Sequence, residues 1–74
     1  MLTSTKRLIG LIRSEGISVS STYDDSFLAH YGDDYYKSVL VTNYDTFVTV
    51  GDSVAPITSD NEIVSTIKNL LNNF

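Results

Sequence analysis

A chain of 74 residues that is 42% apolar, with five tyrosines, three phenylalanines, one histidine and no cysteine, has room for one domain, residues 1–74, around one small core. No disulfide or thiolate metal site can reinforce that core, so packing or self-association must hold it. The formal charge of −4 excludes general binding to phosphate backbones, and no apolar run is long enough for a membrane span or a signal-peptide core, so the protein is expected to be soluble and cytoplasmic.

In chain order, Thr3 or Ser4 can cap a first helix whose apolar face is Leu8, Ile9, Leu11 and Ile12, with Lys6, Arg7 and Arg13 pointing away. Gly10 inside that helix costs about 1 kcal/mol relative to Ala, which predicts another backbone packed closely against it. Gly16 stands where a left-handed residue ends a helix. Residues 17–23 then alternate, with Ile17, Val19, Ser21 and Tyr23 on one face, which predicts a half-buried strand closed by a turn at Asp24, Asp25 and Ser26.

Residues 27–31 fit two readings: a short helix capped by Asp24 or Asp25 and closed by Gly32, or a strand entering a Gly32-Asp33 turn. Residues 35–42 read as a strand, with Val39, Leu40 and Val41 as a continuous apolar run, and residues 46–50 return as its hairpin partner after a loop at Asn43, Tyr44 and Asp45. A turn at Gly51, Asp52 and Ser53 leads to a short strand through Val54, Ala55 and Ile57, which Pro56 confines to an edge. The last segment, residues 60–74, places Ile63, Val64, Ile67, Leu70, Leu71 and Phe74 at intervals of three and four, and Ser59 with Glu62 has the spacing of a capping box.

This order predicts an α+β fold: an antiparallel sheet of three to four strands with an N-terminal and a C-terminal helix packed on one face, in α-β-β-β-α order. The expected core is Leu8, Ile12, Val19, Val39, Val41, Phe47, Ile63, Ile67, Leu70 and Leu71, together with about half of the tyrosines. The second face of the sheet is left open to a partner or to a second copy of the chain, as in a homodimer.

Few residues carry chemistry. His30, in Ala29-His30-Tyr31, has no nucleophile motif around it and reads as a surface residue, so the protein is not expected to be an enzyme. The isolated glycines Gly10, Gly16, Gly32 and Gly51 form no phosphate-cradling loop, and no cofactor is implied. The doublets Asp24-Asp25 and Asp33-Asp34 lack the ligand spacing of a calcium loop. Turn chemistry, a hard cation or an acidic contact surface all fit them, and no metal site is assigned.

Charge is distributed unevenly. Residues 24–62 hold eight acids against Lys37, a net of −7, more than turns require, because Asn, Ser and Gly serve in turns without charge. Tyr23, Tyr31, Tyr35, Tyr36 and Tyr44 interleave with the aspartate doublets and turns. Rings supply contact area at low entropy cost and carboxylates steer a basic partner, so the expected partner-binding residues are Asp24, Asp25, Asp33, Asp34, Tyr35, Tyr36, Tyr44, Asp45 and Asp52.

The order helix, strands, helix resembles the double-stranded RNA-binding domain, but Ser59-Asp60-Asn61-Glu62 stands where that family carries lysines, so the resemblance does not extend to RNA binding. As a short acidic cysteine-free chain with an N-terminal helix (Leu8 to Arg13), Asp-rich turns and a terminal helix, it also resembles small phage-encoded inhibitors of bacterial defence, in particular anti-CRISPR proteins. That resemblance implies a stoichiometric binder of a basic host protein such as a CRISPR effector, acting in the host cytoplasm. The aspartates would then imitate DNA phosphates, with no direct contact to nucleic acid or membrane.

Overall fold

The computed structural model describes residues 3–74. Helix α1 (Thr3–Ser14) is followed by strands β1 (Ser18–Ser20), β2 (Ser26–His30), β3 (Val39–Asn43), β4 (Phe47–Val50) and β5 (Ser53–Pro56), and then by helix α2 (Asp60–Asn72). Of the ambiguous residues 27–31, residues 27–30 are thus strand and Tyr31 opens the turn that follows. The sheet has five strands, where three to four were expected, and runs in the order β1-β2-β3-β4-β5 with every neighbouring pair antiparallel. Short turns allow only this meander, since a parallel pair needs a long crossover. Pro56 lies on an edge strand, where its missing N–H costs no ladder bond.

One face of the sheet is buried. Phe27 and Ala29 on β2, Val39 and Val41 on β3, Val48 and Val50 on β4, and Ala55 on β5 join Leu8, Ile9 and Ile12 of α1 and Ile63, Ile67 and Leu71 of α2 in one core. Because alternate side chains on a strand point to opposite faces, burying Val48 and Val50 turns Phe47 outward. Phe47 is 38% exposed and stacked on Tyr44, with ring centroids 4.9 Å apart, which corrects its expected place in the core. Val19 and Leu70 pack against the core only partly buried. No tyrosine is buried, contrary to expectation, and Phe27 is the aromatic group of the core.

Local chemistry explains the element ends. Gly16 has φ +80°; its N–H donates to the Arg13 carbonyl and that of Ile17 to the Ile12 carbonyl, a Schellman stop in which buried Ile17 meets buried Ile12. Thr3 and Ser4 lie inside α1, so the residue capping its start falls outside the described residues. Ser59 does occupy the N-cap position of α2, but its side chain makes no capping hydrogen bond, which corrects the expected capping box. The start of α2 is held from α1 instead: Arg7 donates to the Asp60 carboxylate at 2.6 Å and to the Ile57 carbonyl at 2.8 Å. Both side chains of this pair are half exposed, so it orients the helix more than it stabilises the fold.

Gly10 corrects another expectation, because a Cβ added there meets nothing within 4 Å and the residue is exposed. No close backbone requires glycine at this position. Gly10→Ala is therefore expected to stabilise the protein by about 1 kcal/mol, raising the melting temperature by roughly 4–8 °C. A calorimetric scan showing an unchanged or lowered midpoint would contradict the open environment.

A buried polar link ties α1 to the sheet. Asn43, expected in a loop, is the last residue of β3 and fully enclosed; its Nδ2 donates to the Thr5 hydroxyl at 2.9 Å, and its Oδ1 accepts the Asp45 N–H at 2.8 Å. The second bond braces a turn in which Asp45 takes φ +73°. Asn43→Ala strands both partners and is expected to cost about 1–3 kcal/mol, seen as a lower urea midpoint at unchanged slope.

Candidate partner-binding surface

The expected contact residues lie in the turns, and the meander sorts those turns to opposite ends of the sheet. Asp24 and Asp25 follow β1 and Asp45 follows β3, so these three share one end, where the Asn43 N–H donates to the Asp25 carbonyl at 2.7 Å. Asp33 and Asp34 follow β2 and Asp52 follows β4, so they share the other end, where the Gly51 N–H donates to the Leu40 carbonyl at 2.9 Å. A strand of five residues separates the two ends by roughly 16 Å at about 3.3 Å per residue. The acids therefore make two groups rather than one row, and the two doublets do not converge on one ion. Among the described residues no group of three or more His, Asp or Glu is placed to hold a metal.

The end formed by residues 31–38 is the better built of the two. Expected to be strand from residue 35, it is instead a chain of tight turns before Val39. Gly32 takes φ +50°, the Asp34 N–H donates to the Tyr31 carbonyl, the Tyr35 N–H to the Asp33 carbonyl and the Lys37 N–H to the Asp34 carbonyl. The Ser38 hydroxyl donates to the Tyr35 carbonyl at 2.7 Å. These bonds consume the polar backbone groups that a strand would have spent on its neighbours, and they override the strand propensity of Tyr35 and Tyr36. Tyr36 is left 98% exposed on a braced loop.

His30 secures this loop. It is 2% exposed rather than on the surface as expected, and it is buried although it shares its side of the sheet with Leu28, because the Tyr35 ring covers it at a centroid distance of 4.7 Å. Its Nδ1 lies 2.8 Å from the Gly32 carbonyl, an acceptor only, so Nδ1 carries the hydrogen. In the neutral ring Nε2 then accepts from the Ser20 hydroxyl at 2.9 Å. A hydroxyl on an imidazole is also the nucleophile–base contact of acyl-transfer enzymes. Here it ties the edge strand β1 to the Gly32 turn beneath a covering ring, and the sequence holds no signal of it because Ser20 and His30 meet through strand register.

Charge at the surface is only lightly neutralised. Lys37 stands 4.0 Å from Asp34, a distant and half-exposed pair, while Asp25, Asp33, Asp45 and Asp52 make no ion pair among the described residues. The uncovered sheet face adds apolar area, with Val54 63% exposed diagonal to Phe47 of the Tyr44–Phe47 stack and Leu40 52% exposed toward the other end of β3. Among the described residues no helix is long and apolar enough to cross a membrane. Compared with known proteins, the chain matches no family model, no curated protein and no solved structure.

Proposed function

We propose that the protein is a small acidic binding module that inhibits a basic, nucleic-acid-handling host protein by stoichiometric contact, without catalysis, in the host cytoplasm and in the manner of the anti-CRISPR proteins it resembles. The observation that carries this reading is Tyr36, 98% exposed on a loop that is braced by backbone bonds and also carries Asp33 and Asp34. An exposed aromatic ring on a pre-ordered loop loses little entropy on binding, and adjacent carboxylates speed encounter with a positive surface. Tyr35 shares the loop, while Asp24, Asp25, Tyr44 and Asp45 form the second, more distant contact group. Asp52 joins the first.

The test is DNA cleavage by a panel of purified CRISPR effectors at increasing inhibitor. One effector is expected to lose activity near one equivalent, Tyr36→Ala to weaken inhibition about 30-fold as a central anchor would, and Asp33→Asn with Asp34→Asn to slow association and reduce its salt dependence. Equal inhibition by all three proteins would exclude this surface.

A second reading, self-association as a structural or scaffold protein, is favoured by the exposed Leu40, Val54 and Phe47 on the uncovered sheet face. Sedimentation separates the two: a mass of 8.2 kDa at micromolar concentration removes the homodimer, whereas twice that mass with no effector inhibited supports it.

A further inference from the structure

Beside the loop of residues 31–38, where the C-terminal turn of α2 meets the β4–β5 turn, lies a hollow of about 380 Å³. This is within the usual range of ligand-holding clefts, about 300–1,000 Å³. Val39, Leu70 and Phe74 give it apolar walls, and Asp52 and Asn73 stand at its polar side. Gly51 keeps it open: it has φ +59°, and a Cβ there would come within 3.3 Å of Leu70 Cδ1.

The electrostatics of this hollow have one sign. No lysine or arginine lines it, and Asp52 makes no ion pair among the described residues. α2 points its C-terminal turn here with no basic residue in that turn, so the negative end of its dipole is uncompensated. An anion is disfavoured on every side, and one carboxylate is too few for a bare metal ion. What fits is an organic cation with an apolar stem.

We propose that this hollow receives an arginine side chain of the basic partner, an inference that rests on the binding-module reading above. The methylenes would lie along Leu70, and the planar guanidinium would bond the Asp52 carboxylate through two N–H groups while facing the Phe74 ring. Arginine suits the site better than lysine because its planar fork matches a carboxylate and stacks on an aromatic face, and because it is less strongly hydrated.

The test uses the whole protein, labelled with ¹⁵N, titrated with N-acetyl-arginine methylamide and, separately, with the capped lysine and the capped neutral isostere citrulline. Capped arginine is expected to shift the amides of Leu40, Gly51, Asp52, Leu70 and Asn73 saturably at millimolar concentration. Citrulline should bind at least fivefold more weakly, and Asp52→Asn should weaken arginine as much. Phe74→Ala, at an exposed position, supplies a second variant with the same expected direction. No saturable shift at these amides, equal binding of citrulline, or indifference to Asp52→Asn overturns the proposal, and lysine binding as tightly as arginine overturns the guanidinium preference. The readout needs no effector: arginine binding with no effector inhibited would sink the inhibitor reading alone, and inhibition without arginine binding would sink this one alone.

Discussion

Phe27→Ala is expected to lower the unfolding free energy by about 3–5 kcal/mol, enough to leave much of the protein unfolded at 37 °C. Phe27 is fully buried on β2, opposite Val41 of β3, in the middle of the face that both helices cover. It is also the one aromatic ring in the core, since Phe47, Phe74 and the tyrosines are all exposed. Truncation opens a cavity that the surrounding Val and Ile side chains, stiff at χ1 and held by strand and helix backbones, fill only in part. Urea unfolding followed by far-ultraviolet circular dichroism checks this, with Phe47→Ala as the internal comparison. Phe47 faces the open side, so its truncation is expected to cost less than about 1 kcal/mol. Equal midpoints for the two variants would contradict the assignment of faces.

Ile67→Ala is the second large effect, expected at about 2–5 kcal/mol. Ile63, Val64, Ile67 and Leu71 form the buried stripe of α2, and Ile63 and Ile67 are completely enclosed. A helix of 13 residues is marginal alone in water, so this stripe is what keeps α2 folded on β3, β4 and β5. Leu70 sits at the margin of the stripe and lines the hollow, so Leu70→Ala is expected to cost less than Ile67→Ala. The ratio of the two losses in urea is the measurement. An Ile67→Ala variant that melts with the parent would mean that the sheet holds together without α2.

The features legible along the chain are local ones. The stop of α1 at Gly16 follows from a conformation only glycine takes cheaply, the amphipathic stripe of α2 from spacing alone, and the edge position of β5 from Pro56 lacking a donor. The hairpin of β3 and β4 and the α+β order were legible for the same reason, although residues 35–38 went to a turn once their backbone bonds closed within the loop. Whatever depends on register and on which face is covered was settled only when the elements assembled. Phe47 went outward because Val48 and Val50 went in; His30 was buried because strand pairing set it opposite Ser18 and within reach of the diagonal Ser20, and the loop folded Tyr35 over it; Asn43 found Thr5 across 38 positions of sequence. The candidate site divided along the same line. Its acids and rings could be named from composition, but only the up-and-down path of the sheet, which sends successive turns to opposite ends, separated Asp24, Asp25 and Asp45 from Asp33, Asp34 and Asp52. Pattern along a chain records which side of its own element a residue occupies, whereas burial is set by what other elements bring to that side.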